Sequence, residues 1–594
     1  MPVTSVNALC DSEKRVIPNI VTFLRQGFGR WRQSPMLKVC VAALLAGLTV
    51  PAPSRASVAT NAAPQASDLT VADNLYRAGR FAEAAARYEA ILKSNPSLVT
   101  PQNNLIHCLL FTERIDEAKA AVIKALNVQP NSGELVSAMG DVQFRLAEMP
   151  EAERSYLKAE ELDPRNPSPC LGLVRIYRSY SMYRRAYDQL QRAHEIAPSD
   201  PIVERIWIGA QPASKRVAAL EAYLAKSNTA DSQLRSYLAF LKSTAGEPPH
   251  ACRLVSKVAE TTAQLEPVQV GAKRVGALDL AVKLNNHNNR LVLDTGTSGI
   301  VIHRKSAERS GLILIAEQRI AGVGDSGHQA GYVAVARRIH IGELEFRDCL
   351  VRVADSAGPP NRDGLIGSDV FHTYLIDVDL PGKTMRLSPL PQRPDETPAP
   401  PALESGGETP GISEDTPESV EGEETPTETS ATKRATVDAP SWLPKDAYVA
   451  PEMANWSKVF RFGHLLLIPT NVNDSKPVMF MIDSGAFANI LSTRAAQKLT
   501  QVKADPSTQV SGMSGSVGKV YRAEKTNLRF GDYSQQNDNI VALDLSSISR
   551  NAQTEVSGIL GFELLGGLEI KIDYRDGLID FIRNPKQAPK GLRQ

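Results

Sequence analysis

The stretch RLVLDTGTSGIVIHR at residues 290–304 has a counterpart in PVMFMIDSGAFANILSTR at residues 477–494. In each, an apolar run of strand character ends in an Asp-Thr/Ser-Gly triplet, and a second apolar run follows. The triplets are Asp294-Thr295-Gly296 and Asp483-Ser484-Gly485. Further on stand Gly364-Leu365-Ile366-Gly367 and Gly558-Ile559-Leu560-Gly561, 70 and 75 residues after the respective aspartates. Between these marks each half carries a Gly-rich turn, 322–327 in the first and 512–518 in the second. Each half closes on a similar pair of strands, YLIDVDLPGKTMRLSP from Tyr374 and LEIKIDYRDGLIDFI from Leu568. Short apolar strands bounded by turn residues, in the same order twice, describe a duplicated β unit at 265–390 and 450–585.

A single Asp-Thr-Gly is ordinary turn chemistry. The apolar-apolar-Asp-[Thr/Ser]-Gly motif, the later apolar-apolar-Gly and the repetition of both resemble the pepsin/retropepsin superfamily of aspartic peptidases. That resemblance implies two acid-protease-like β-barrel lobes, each supplying one catalytic aspartate, Asp294 and Asp483. It implies that Thr295 and Ser484 cross-bond between the lobes through their hydroxyls. Gly296 and Gly485 would permit the tight turn and point backbone N–H groups at the carboxylates, and Thr297 would supply a hydroxyl where Ala486 has none. The turns 322–327 and 512–518 are candidate flaps, the first followed by Tyr332. The chemistry explains why two copies are needed. Amide hydrolysis without a covalent intermediate requires a water deprotonated as it attacks and an acid for the carbonyl and leaving amine. Two adjacent carboxylates serve both roles, because like charges cannot both ionise and one proton is shared. No metal and no cofactor is expected. His303, His328, His340 and His464 are scattered singly and read as surface or turn residues, and no GxSxG, HExxH, P-loop or dinucleotide fingerprint is present.

Upstream, Pro96, Pro130, Pro164 and Pro198 lie 34 residues apart. Ala84, Ala118, Ala152 and Ala186 stand 12 residues before each proline, and Ile91, Ala125, Ala159 and Ala193 five before. Two helices per unit explain the pattern: a small residue lets paired helices approach closely, and proline follows the second helix because it cannot continue one. The period resembles tetratricopeptide repeats over 66–200, with 201–262 expected to add capping helices and complete a helical domain at 66–262. Such arrays have a concave groove, which implies a protein partner or the substrate itself as ligand. A spacer without a ligand is the alternative.

The rest of the chain frames these parts. Lys38, the apolar run Val39 to Val50 and the small residues that follow read as a secretory signal within residues 1–59, with Met36 as a candidate translation start. The run is shorter than the roughly 20 residues a spanning helix needs. Export to a bacterial periplasm or beyond is expected, with membrane attachment only if the segment stays uncleaved. Residues 391–440 are rich in Pro, Thr and Glu and carry no basic residue between Arg393 and Lys433, so they read as a disordered, extended tether. A net charge of +1 gives no whole-chain attraction to nucleic acid. Cys108 and Cys170 read as small apolar residues of the repeats, with a disulfide as the alternative. The fold class expected is therefore multidomain α plus all-β, a helical solenoid followed by two β-barrel lobes. The function expected is an aspartic endopeptidase acting on peptides or proteins. The alternative is a non-catalytic binding scaffold with degenerate lobes.

Overall fold

The computed structural model describes residues 62–226, 252–394 and 443–584, apart from 271–273, 325–327, 360 and 514, together with isolated residues at 234–242, 440, 592 and 593. The signal segment and most of the linker lie outside the described residues. Among the described residues no helix is long and apolar enough to cross a membrane.

The 34-residue period becomes helix pairs: α1 (Ala62–Arg77) with α2 (Phe81–Ser94), α3 (Val99–Phe111) with α4 (Ile115–Val128), α5 (Gly133–Arg145) with α6 (Met149–Leu162), and α7 (Pro167–Ser179) with α8 (Tyr183–Ile196). Two more, α9 (Pro201–Gly209) and α10 (Ala213–Lys226), extend the stack. The periodic alanines Ala84, Ala118, Ala152 and Ala186 are all buried between the paired helices. A second period is polar: Asp73, His107, Asp141 and Arg175, again 34 apart, lie along the first helix of successive pairs. Asp141 accepts from Tyr156 Oη at 2.8 Å and Arg175 Nη2 at 2.5 Å and lies 3.2 Å from His107 Nε2. Burial alone would raise the Asp141 carboxyl, yet His107 and Arg175 hold it down at about 2.

Residues 253–262 are not helical, which corrects the expected extent of the helical domain. Arg253–Leu254 and Thr261–Val270 are strands, the first paired to Leu344–Ala354 and the second to Arg274–Leu284. A disulfide joins Cys252 to Cys349 beside the first of these pairings, while Cys108 and Cys170 are free and buried. The segment therefore belongs to lobe 1. Its β-branched residues Val255, Val258, Thr261 and Thr262 suit an extended chain better than a helix.

Both lobes repeat one plan. In lobe 1, Leu291 to Leu293 run parallel to Gly364–Ile366, which in turn lies antiparallel to Ile300–His303. In lobe 2, Phe480 to Ile482 run parallel to Gly558–Leu560, which pairs with Ile490–Ser492. The glycine opening each of these later strands is dictated by space: a Cβ would lie 2.1 Å from the Val301 carbonyl oxygen at Gly364, and 2.4 Å from the Phe480 ring at Gly558. The lobes are not separate barrels. Tyr374–Asp379 of lobe 1 pairs antiparallel with Leu568–Asp573 of lobe 2, so one sheet crosses the boundary, and a single apolar core holds Leu293 and Ile376 together with Ile482 and Ile572.

The helices dock on lobe 2 and not on the equivalent face of lobe 1, for a reason visible in the cross-strand register. In lobe 1 the row on that face runs Asp279, Val292, Leu365, Val301, Arg352. In lobe 2 the same row runs Leu467, Met481, Ile559, Ile490, Val541. Charges at both ends of the first row become apolar in the second. The lobe 2 row shares one core with Phe144, Met149, Tyr156 and Leu173 of the repeats. Asp279 instead is fully buried against Arg290 and Arg362. The Phe144 ring meets Phe462 at 6.0 Å, and its carbonyl accepts from Thr554 Oγ1 at 2.7 Å. At the rim Asp116 pairs with Arg494 at 2.9 Å and Lys498 at 2.8 Å; these exposed pairs contribute less than about 1 kcal/mol each.

The chain emerging from the linker is also fixed to the repeats. Asp446 accepts from the backbone N–H of Arg184 at 2.7 Å, so it caps α8, whose own N-cap residue Met182 offers no side-chain bond. Two stability measurements follow, both by chemical denaturation. Phe144→Ala should cost about 3–5 kcal/mol, with a coupling to Phe462 of about 0.5–1.5 kcal/mol in a double-mutant cycle. Asp446→Ala should cost about 1 kcal/mol despite lying far in sequence from the helix it caps.

Candidate active site

Each aspartate sits where a strand leaves its parallel partner. Asp294 N–H donates to the Ile366 carbonyl at 2.9 Å and Asp483 N–H to the Leu560 carbonyl at 3.0 Å, so both triplets are aimed by the same local device. The structure brings the two loops together. Thr295 Oγ1 donates to the Ile482 carbonyl at 2.8 Å and accepts from Ser484 N–H at 2.9 Å. Ser484 Oγ donates to the Leu293 carbonyl at 2.9 Å and accepts from Thr295 N–H at 3.1 Å. Each hydroxyl thus straddles the opposite aspartate, bonding the residue before it and the residue after it. Both are buried.

The carboxyl groups meet between the loops. Asp294 Oδ1 accepts from Gly296 N–H at 2.8 Å, and Oδ2 accepts from Thr297 Oγ1 at 2.8 Å. Asp483 Oδ1 accepts from Gly485 N–H and Ala486 N–H, each at 2.9 Å. The glycines have a second role beyond supplying N–H groups. A Cβ on Gly296 would lie 2.7 Å from Asp483 Cγ, and one on Gly485 2.4 Å from Asp294 Cγ, so only glycine leaves room for the partner carboxyl. Burial pushes the Asp483 carboxyl well above the usual carboxylate range. The Asp294 charge and a hydrogen bond with it add to that rise, while the two backbone N–H donors oppose it. Burial and the neighbouring charge thus favour a single negative charge on the pair, with one proton held between the two carboxyls.

Several supporting residues were not singled out from the sequence. Asp369 accepts from Gly299 N–H at 2.8 Å and Ser298 Oγ at 3.0 Å, bracing the loop after the first triplet. Asn489 Oδ1 accepts from Gly561 N–H at 2.9 Å in the second lobe. His464, read from sequence as a surface or turn residue, stands 3.2 Å from the Gly296 carbonyl across the lobe boundary. From the other side, the Arg274 guanidinium lies 4.9 Å from the Phe487 ring centroid, beyond the second triplet. Tyr332 lies under the Arg304 guanidinium at 4.6 Å and packs on the lobe 1 core.

The Gly-rich turns cap hairpins, Ile313–Ala321 with His328–Ile341 in lobe 1 and Val510–Gly512 with Gly515–Val517 in lobe 2. Residues 325–327 and 514 lie outside the described residues. The tips touch: Gln329 Nε2 donates to the Met513 carbonyl at 2.8 Å, and Val323 packs so closely on Gly512 that a Cβ there would lie 2.3 Å from its carbonyl oxygen. Each tip rests on the opposite lobe. Val323 joins the lobe 2 cluster that includes Ala486 and Ile490, and Met513 joins Val292, Val301 and Leu365 of lobe 1. Among the described residues no group of three or more His, Cys, Asp or Glu gathers as a metal site would.

Both triplets fall within segments that resemble a known family. An aspartyl protease family model matches residues 280–370 and 468–564, and a tetratricopeptide repeat model matches residues 75–142. The two β segments thus resemble the aspartyl protease family, and a stretch that resembles tetratricopeptide repeats precedes them. Protein DNA-DAMAGE INDUCIBLE 1 of Arabidopsis thaliana is 29% identical over 129 residues, covering 21% of this chain and 30% of that protein. DNA damage-inducible protein 1 of Kluyveromyces lactis is 24% identical over 115 residues, covering 19% and 27%. The chain thus spans less than a third of the length of these relatives. A thermophilic TPR protein of Thermus thermophilus superposes with a TM-score of 0.27 at 18% identity, covering 30% of this chain and 98% of that one.

The Asp483 carboxyl gives a pH signature. Its folded-state pKa is raised above the unfolded value of about 4, so its contribution to stability is full below that value and is lost as pH rises through the folded pKa. Asp483→Asn, which cannot ionise, should flatten the fall in stability between mildly acidic and alkaline pH. Denaturation midpoints of both proteins across that range measure the effect.

Proposed function

We propose that the protein is an aspartic endopeptidase whose dyad forms within one chain, from Asp294 and Asp483. The observation that carries this reading is the contact of the two carboxyls under reciprocal hydroxyl bonds from Thr295 and Ser484. A water held between the carboxyls attacks the scissile carbonyl carbon, giving up its proton to Asp294 as the C–O bond forms. The carbonyl π electrons move to oxygen, which takes the proton of Asp483. As the C–N bond breaks, the hydroxyl proton returns to Asp483 and the proton on Asp294 passes to the leaving amine, leaving the dyad as it began. No covalent enzyme intermediate is required. The meeting hairpin tips suit a cover that excludes water from a bound, extended peptide, which main-chain hydrogen bonds would hold.

The repeats are proposed to recruit a protein substrate or partner through their groove. Their edge, where Phe144 and Asp116 lie, is engaged by lobe 2 and is not part of that surface. Export is proposed on two grounds: the apolar run after Lys38 and the Cys252–Cys349 disulfide, a bond that persists in oxidising compartments.

A peptide-library digest at acidic and neutral pH, with and without a pepstatin-type inhibitor, tests the reading. Cleavage should be blocked by the inhibitor and fall by at least about 1,000-fold in either Asp294→Asn or Asp483→Asn. Residual activity in Asp294→Asn alone would point to like lobes pairing between chains. Intact peptides under every condition would leave a binding scaffold.

A further inference from the structure

Arg352 lies on the strand Leu344–Ala354, in parallel register with Val301 and opposite Val333. Its side chain therefore stands on the face that carries Val301, Leu365 and Val292, the last only two residues before Asp294. That face is the apolar wall on which the tip of the opposite hairpin rests through Met513. The side chains of that wall offer the guanidinium no acceptor. Other arginines of this lobe have carboxylate partners: Arg290 and Arg362 hold Asp279, Arg304 holds Asp355, and Arg309 holds Asp363. Arg352 makes no hydrogen bond or ion pair among the described residues. Asp369 is near enough to act on it electrostatically, but its two oxygens are engaged by Ser298 and Gly299. The side chain is half-buried; burial pushes the guanidinium below its usual value, with Asp369 opposing, and leaves a partly exposed cation without a bonded partner. In lobe 2 the equivalent place, beside Ile490, is taken by Val541.

We propose that Arg352 determines specificity by receiving an acidic side chain of the peptide substrate on the lobe 1 wall of the cleft, beneath the Met513 hairpin. The proposal rests on the endopeptidase reading for the identity of the cleft. A carboxylate would meet the guanidinium with paired, charge-assisted hydrogen bonds, in a site from which the hairpin excludes water. An amide or apolar side chain would leave the cation unpaired, so discrimination comes from what the wrong substrate fails to satisfy. Lobe 2 carries no charge at the matching position, so acidic residues should be favoured on one side of the scissile bond only.

The test uses the full chain and peptide pairs that differ by Glu or Gln, scanned through an apolar decapeptide background. Wild type should prefer Glu at one position by about tenfold or more in kcat/KM. Arg352→Val, which installs the residue lobe 2 tolerates there, should bring that ratio near one. Arg352→Glu should favour Lys at the same position. An unchanged Glu-to-Gln ratio in Arg352→Val, with cleavage intact, overturns the proposal and leaves the endopeptidase reading standing. Calorimetric titration of the same peptides into the Asp483→Asn chain separates the other case. If nothing is cleaved, yet Glu-peptide binding weakens about tenfold on adding Arg352→Val, the acidic-peptide site stands and the proteolytic reading falls. If neither cleavage nor binding responds to Arg352, the site is absent.

Discussion

Two carboxyl groups in contact are an unstable arrangement unless something prevents the chain from separating them. Here one proton shared by the pair removes the second charge, and hydroxyls that reach across hold the two loops to each other, in addition to the bonds within each loop. Thr295 and Ser484 each satisfy a carbonyl before and an N–H after the opposite aspartate. Four such bonds, at about 1 kcal/mol net each, are modest in sum. Their weight lies in the alternative: moving the lobes apart would strand buried backbone groups on both sides at once. Displacement of one carboxyl therefore costs more than the repulsion it relieves.

The remainder of the β structure holds this contact in register. Strands Tyr374–Asp379 and Leu568–Asp573 run through the lobe boundary as neighbours in one sheet, so the lobes share ladder hydrogen bonds as well as apolar contacts. Buried polar pairs lie along the same boundary. Ser368 Oγ and Tyr574 Oη are 2.7 Å apart, and Arg393 is buried against Asp576. Asp573, close to Asp576, is pushed up to about 6 by burial and by that neighbouring charge. A long tether between the lobes was compatible with pairing inside one chain or between two. The continuous sheet and shared core are what favour the first.

Much of this was readable in the sequence, and the unread portion has a common cause. The triplets, the later glycines and the 34-residue period are local patterns, so order along the chain exposes them. The reason for Gly296 and Gly485 is not local: the atom that excludes a Cβ belongs to the other lobe. Asp369 braces Ser298 from 71 residues away, and His464 reaches Gly296 from 168 away, distances at which spacing carries no signal. Arg352 becomes informative only once register places it beside Val301. The strands that begin within 253–262 are hidden for a different reason: the alanine and leucine pattern near Leu220 and Leu224 predicts helix, and the Thr- and Val-rich stretch beyond it does not carry that pattern on.

Duplication supplies two equal faces, and what each lobe has done with its copy accounts for the asymmetry of the molecule. Lobe 2 carries Leu467, Met479 and Val541 and buries that surface against helices. Lobe 1 has Asp279, Arg290 and Arg352 at the matching places, the first two paired with each other. An apolar exchange at three positions thus decides which lobe carries the repeats, because a helix face such as that of Phe144 and Leu173 gains nothing by covering ions that must stay paired. The same exchange makes two halves of like plan unequal: lobe 1 keeps a charged side chain, Arg352, beside the wall on which Met513 rests, where lobe 2 presents only apolar surface to the helices.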